Sequence, residues 1–365
     1  MADIDLMPDV LEQLRALVSF DTRNPPRLFD EAGIFAYVRA QLPDFDIEVR
    51  DLGAGAVYLY AKRGAPAVLF NVHLDTVPDS PAWSQDPFVL TVGEDRAVGL
   101  GACDIKGAAA ALIAASRAVK GDVAFLFSSD EEANDARCIA DFLQRNESFE
   151  AVLVAEPTGC EAVAVHRGIS SVRVEFHGEA GHASNAHNPS AVHKAIRWGA
   201  ACLDLIEAKA EEEFAGLRGT RFNIGKVQGG IKGNVIAPSA ECRFGFRPLP
   251  SQDMDALHAQ FRAAAGDGEG ASYEELFRGP SLPVGPDSDV RRERAEAVAK
   301  LFGIPVRAPV DFWTEASLFS QAGYDTLVFG PGDIAQAHSA DEWVALSDLA
   351  RYSQHVVRII GAQQA

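Results

Sequence analysis

The chain has 365 residues, and 52 acidic against 33 basic side chains give it a formal charge of -19. That excess disfavours nucleic acid and anionic membranes as partners, and an anionic substrate would need local cations to overcome the field. The length calls for two domains, and five scattered cysteines without CxxC spacing (Cys103, Cys138, Cys160, Cys202, Cys242) point to core thiols in a reducing cytosol.

The opening Met1-Ala-Asp-Ile-Asp-Leu-Met-Pro-Asp9 is acidic where a secretory leader would be basic, which makes a cytoplasmic protein the expectation. Leu11, Leu14, Leu17 and Val18 predict an amphipathic helix over 10–18, broken by Asn24-Pro25-Pro26, and a helical pattern restarts over 35–42. Segments 47–51 and 57–61 alternate like strands. The apolar runs 67–72, 123–127 and 151–155 read as buried strands, and the alanine-rich 107–119 as a helix packed on them. Its apolar part, 108–115, is too short to span a bilayer. This alternation through about residue 165 predicts a largely parallel sheet. The character changes near Gly168. Segment 171–177 alternates, a helical pattern runs over 191–213, and strand patterns follow at 221–227 and 241–247. After a loop at 266–270 and Gly279-Pro-Ser-Leu-Pro283, a helix over 290–302 and a strand over 326–329 resume the first pattern. The expected fold is α/β: a mostly parallel-sheet domain from 1–167 and 278–365, with an inserted β-α-β-β domain of α+β type over 168–277.

Four apolar runs end on residues that bind divalent metals. They lead to His73-Leu-Asp75, to Asp130-Glu131-Glu132, to Glu156, and through 326–329 to His338; Asp104 stands in Gly99-Leu-Gly-Ala-Cys-Asp-Ile-Lys-Gly107. Sites of open α/β sheets form beyond the carboxyl ends of strands. Two histidines with three or four carboxylates suit zinc-like ions better than magnesium or calcium. His73 and Asp75, two apart, would share a strand face, so the carboxylate can take the imidazole N–H and hold the other nitrogen on a metal. A histidine-capped strand end is the structural alternative. For Asp104 the alternative is a helix N-cap. The adjacent Glu131 and Glu132 repel unless a cation is present, and diverging neighbours let one bind metal while the other acts as base. A solvated acidic loop is their alternative, and loop turns are the alternatives for Glu156 and His338. The joint occurrence at strand ends carries the weight. No GxSxG elbow, P-loop, dinucleotide fingerprint or HExxH helix is present.

These residues resemble the metallopeptidase family 20 amidohydrolases. The resemblance spans the chain: His73-Leu-Asp-Thr-Val77, the Gly99 to Gly107 segment, Asp130-Glu-Glu132, Glu156-Pro-Thr158, Gly181-His-Ala-Ser184, Arg247-Pro-Leu-Pro250 and the Ala337 to Trp343 segment. Trp313-Thr-Glu-Ala316 and Phe329-Gly-Pro-Gly332 resemble the acetylornithine deacetylase branch, and the chain is also similar to the acetylcitrulline deacetylases. The resemblance implies a metallohydrolase domain carrying an inserted dimerisation or lid domain. It implies one or two zinc or cobalt ions, with Asp104 bridging, His73 and Glu156 on one side, and Glu132 and His338 on the other. Glu131 becomes the general base and acid, and Asp75 the partner that orients His73. His182 would polarise the scissile carbonyl in the other subunit of a homodimer, while Asn234 and Arg247 hold the substrate's backbone and carboxylate. The implied substrate is an Nα-acetyl amino acid of arginine biosynthesis, N-acetylcitrulline or N-acetylornithine. A dipeptidase, a carboxypeptidase or another N-acyl amino acid amidohydrolase with the same centre, or a non-enzymatic metal-binding scaffold, are the other readings. The chain departs from the family at Glu315, where many relatives carry Asp, at Gly245, and in the glycine-rich stretch between Lys226 and Asn234.

Overall fold

The computed structural model describes residues 4–133, 135–184, 187–266 and 270–363, so parts of the acidic opening and of the 266–270 loop lie outside the described residues. The chain forms two compact units: Met1–Ala164 with Asp289–Arg307 and Thr314–Ala365, and Val165–Ser288 with Ala308–Trp313.

In the first unit, Val68–His73, Val123–Ser128 and Ala151–Val154 are buried at every residue, as strands covered on both faces must be. The sheet order is Asp46–Asp51, Val57–Arg63, Val123–Ser128, Val68–His73, Ala151–Val154, Thr326–Val328. The last four run parallel, as the alternation of strand and helix signals predicts; the first two add an antiparallel hairpin at one edge. Pairing of His73 with Ser128, and of Asn71 with Val154, brings the carboxyl ends of the central strands to one rim. The helix Gly107–Ala118 is buried from Gly107 to Ser116 and packs against Leu346–Ala362 and Met7–Val18. Small side chains permit that approach. A Cβ on Gly107 would lie 2.5 Å from the Ala102 carbonyl oxygen and 3.1 Å from Leu349 Cδ2.

The second unit is a four-stranded antiparallel sheet in the order Arg221–Gly229, Ser239–Arg247, Ile169–His177, Ala271–Gly279. Alternate residues of the two central strands are buried, and Val172, Val174, Phe176, Phe244 and Phe246 join Trp198 and Phe261 from the helices Ala191–Glu207 and Met254–Ala264 in one core. This unit runs over Val165–Ser288 and takes in Ala308–Trp313, against the 168–277 read from the sequence, and its edge strand Ala271–Gly279 crosses the expected boundary. That segment is largely exposed and holds Glu274 and Glu275, so it shows no apolar run. The helix predicted over 191–213 stops at Glu207. No large apolar residue occurs between Ile206 and Phe214, so nothing would hold a further turn to the sheet. A short ribbon pairs Gly181–His182 with Val235–Ile236, placing Val235 opposite His182. Among the described residues, no helix is long and apolar enough to cross a membrane.

Candidate metal centre

The parallel strands deliver the predicted ligands to one rim. His73 ends its strand with Nε2 3.2 Å from Asp104 Oδ1 and 3.9 Å from Glu156 Oε1. His338 Nε2 lies 3.0 Å from Glu132 Oε1 and 3.3 Å from Asp104 Oδ2. The donors therefore form two sets, His73/Asp104/Glu156 and Asp104/Glu132/His338, each with its ligand atoms within 4.8 Å of one another. Two donors bound at about 2.1 Å to one tetrahedral ion stand about 3.4 Å apart, so the observed separations match a common centre. Asp104 offers one oxygen to each set.

The turn bearing Asp104 is braced by a residue that the sequence reading did not single out. Glu342 is buried, and its Oε1 accepts the N–H groups of Cys103 (2.8 Å) and Asp104 (2.9 Å), while Oε2 accepts that of Gly101 (3.0 Å). Gly101 adopts φ 78°, and a Cβ there would lie 2.7 Å from Thr76 Cγ2. The sequence carried Glu342 only as part of the Ala337 to Trp343 segment, without a role, four residues after His338 and beside the strand Trp343–Ala345.

Asp75 lies beyond the strand, which stops at His73, so strand alternation does not place it. The following turn does. His73 Nδ1 is 3.0 Å from the Asp75 carbonyl oxygen and 3.4 Å from its Oδ1. A proton on Nδ1 leaves the Nε2 lone pair facing Asp104 and Glu156. The Asp75 carboxylate also accepts from Asn24 Nδ2 (3.1 Å) and the Glu132 N–H (3.0 Å), so it ties two strand ends together.

Electrostatics explain what such a cluster requires. Burial pushes Glu131 well above the usual carboxylate range; His73 opposes the shift, and Glu132, Glu156 and Glu315 add to it. Glu156 is raised by burial and then by Asp104, and Glu132 by burial against the His338 hydrogen bond. Hydrogen bonds to Asp104 and Glu132 push His338 up to about 11. Further back, burial raises Glu315 to about 8 and Asp130 to about 7; Ser128 Oγ donates to Glu315 (3.2 Å) and the Cys138 N–H to Asp130 (2.9 Å). So many buried carboxylates are held together either by protons or by cations. A divalent ion in each set would replace the protons, and the donors fit that role.

The substrate-side candidates belong to the second unit. His182 is exposed on the ribbon, its Nδ1 2.7 Å from Ser184 Oγ. The neighbouring Ala183 N–H donates to the Asn234 carbonyl (3.0 Å), so His182 and Asn234 share one ribbon. Arg247 ends the strand Ser239–Arg247, half-buried. Its guanidinium has no hydrogen-bond or ion-pair partner among the described residues, and burial lowers its pKa.

A parallel sheet whose strand ends gather two histidine-and-carboxylate sets around a shared aspartate defines a metal-dependent hydrolase. The chain belongs to peptidase family M20/M25/M40, whose family model matches residues 69–362. It is similar to N-acetyl-L-citrulline deacetylase of Xanthomonas campestris pv. campestris, with 62% identity over 361 residues and 98% of each chain covered. Acetylornithine deacetylase of Salmonella arizonae is 29% identical, over 93% of this chain and 94% of its own. A solved dinuclear metal binding peptidase of family M20 from Bacillus subtilis shares the fold, with a TM-score of 0.65 at 18% identity over all of both chains.

Proposed function

We propose that the chain releases acetate from an Nα-acetyl amino acid, N-acetyl-L-citrulline in preference to N-acetyl-L-ornithine, as a step of arginine biosynthesis in a reducing cytosol. The observation that carries this reading is the pair of donor sets sharing Asp104, with Glu131 left outside both. The 62% identity to an N-acetyl-L-citrulline deacetylase supports the choice of substrate.

Zinc or cobalt held by His73, Asp104 and Glu156, and by Asp104, Glu132 and His338, would supply Lewis acidity to the acetyl carbonyl and acidify water. Glu131, beside a ligand yet free of both sets, takes a proton from the attacking water and returns it to the leaving α-amine. Asp75 keeps His73 in the tautomer that presents Nε2. His182 donates to the carbonyl oxygen as negative charge develops there, in the site of a second copy of the chain paired through the inserted unit. Arg247, unpaired within its own unit, takes the α-carboxylate, with Asn234 beside the substrate backbone. It supplies the local cation that a chain of charge -19 needs for an anionic substrate.

The test is acetate release from N-acetylcitrulline and N-acetylornithine, with zinc and then with cobalt, alongside dipeptide cleavage. Dipeptide hydrolysis without acetate release would overturn the reading in favour of a peptidase. Glu131→Gln should abolish turnover with both metal sets still able to bind zinc; near-normal activity would overturn the role of Glu131. A strictly monomeric, fully active enzyme would do the same for His182 acting across a dimer.

A further inference from the structure

The second unit contains a cavity of about 640 Å³ that the residues discussed so far do not explain. Its wall includes Ala183 and Val235, the immediate neighbours of His182 and Asn234, so it lies against the ribbon that carries both. The polar groups in the wall are Asn188, Ser190, His193 and Lys232, and no carboxylate lines it among the described residues. One side is the glycine-rich stretch from Gly229 to Gly233. Glycine is required there on steric grounds: a Cβ on Gly229 would lie 2.6 Å from Ala240 Cβ, and Gly230 adopts φ 72°. This stretch carries Lys232, which is exposed and has no ion-pair partner among the described residues.

That lining discriminates by charge. A cationic group entering the cavity finds no counter-charge and meets the Lys232 ammonium. A neutral group rich in hydrogen-bonding atoms finds amide, hydroxyl, imidazole and ammonium partners. A ureido group has one carbonyl acceptor and three N–H donors, whereas a primary ammonium has donors only. We infer that this cavity is the selectivity subsite for the far end of the substrate side chain, and that Lys232 makes it favour a neutral ureido over an ammonium. A substrate with its scissile carbonyl at His182 and its backbone at Asn234 would place its side chain beside this wall, whichever copy's strand ends supply the chemistry. Selectivity then rests on a repulsive element as well as on attraction. The inference depends on the deacetylase reading and on the substrate-side roles of His182 and Asn234.

The experiment compares kcat/KM of the full-length, metal-loaded enzyme for N-acetylcitrulline, N-acetylornithine and N-acetylnorvaline, whose side chain has no polar end. It uses the wild type, Lys232→Gln and Lys232→Glu. Reversing one charge near a partly screened ammonium should raise the ornithine-to-citrulline ratio about tenfold or more in Lys232→Glu, chiefly through KM. Lys232→Gln should fall between, and N-acetylnorvaline turnover should stay within about twofold of wild type. Added salt should weaken the wild type's discrimination against N-acetylornithine. A ratio unchanged within about twofold in both variants, in an enzyme that does release acetate, would overturn the subsite and leave the deacetylase reading intact. A wild type that releases acetate from none of the three would overturn both.

Discussion

Replacing Glu342 with Gln tests whether the Asp104 turn is held in place from behind. The wild-type carboxylate accepts three backbone N–H groups, two on Oε1 and one on Oε2, in a buried position. In Glu342→Gln, the amide oxygen can keep the pair from Cys103 and Asp104. The amide NH₂ then faces the Gly101 N–H, donor against donor. A hydrogen bond to a charged group is worth about 1.5–3 kcal/mol, and the stranded N–H adds its own desolvation cost. One term opposes this loss: burial, and then Asp104, already push Glu342 up to about 7, so removing its charge relieves some repulsion. A divalent ion beside Asp104 would cancel most of that relief. The net cost should therefore be about 2–3 kcal/mol with metal bound and smaller without it. By linkage this lowers zinc affinity, in keeping with the 10–100-fold typical of groups that orient metal ligands. Competition titration with a chelating dye measures the affinity, and hydrogen exchange across 99–107 should speed up. Zinc affinity within about threefold of wild type, with unchanged exchange, would refute the brace.

Two further outcomes follow from groups away from the ligands. Arg247→Leu should raise KM about 10- to 100-fold with kcat within a few-fold, the loss of one charge-assisted carboxylate contact, and stability should hold because Arg247 has no internal partner; an unchanged KM would remove it from the substrate's path. His166 is fully buried, its Nδ1 2.8 Å from the Arg167 carbonyl oxygen, and burial lowers its pKa from 6.5 to about 4. The unfolded chain takes up that proton near pH 6.5 and the folded chain only near pH 4. Between these values the unfolded state binds more protons, so stability falls as the pH is lowered, by up to about 1.4 kcal/mol per unit from this group. Denaturant unfolding between pH 4.5 and 6.5 should show a shallower fall in His166→Gln than in wild type; parallel curves would contradict the burial argument.

Much of this was legible in the chain because apolar periodicity stops abruptly where the chemistry begins. Runs such as 123–127 are fully buried, so the first ionisable residues beyond them must sit at a sheet rim. What periodicity could not do was separate Glu131 from Glu132, and only the resemblance did so. Glu342 was opaque for a different reason: its partner Asp104 lies 238 positions away, and no local pattern encodes a contact of that span. Glu315 and Asp130 were opaque likewise, since a buried carboxyl and a solvated one look alike in sequence. Asp75 shows a reading that reached the right neighbourhood through the wrong element, because a turn rather than a strand brings it to His73.

The acidic excess of the chain can now be given a place. The rim and its backing gather Asp75, Asp104, Asp130, Glu131, Glu132, Glu156, Glu315 and Glu342, against His73, His338 and the buried Lys106, which burial lowers to about 7. That composition attracts divalent cations and repels a carboxylate substrate. On the proposed function, the first unit would activate the scissile carbonyl but is poorly suited to recognising the anionic remainder of the substrate. Recognition needs cations that are not consumed by internal ion pairs. Arg247 and Lys232, both without such a partner among the described residues, stand in the other unit. The same separation leads to the expectation that a change in the glycine-rich stretch alters substrate choice without touching a ligand or the base.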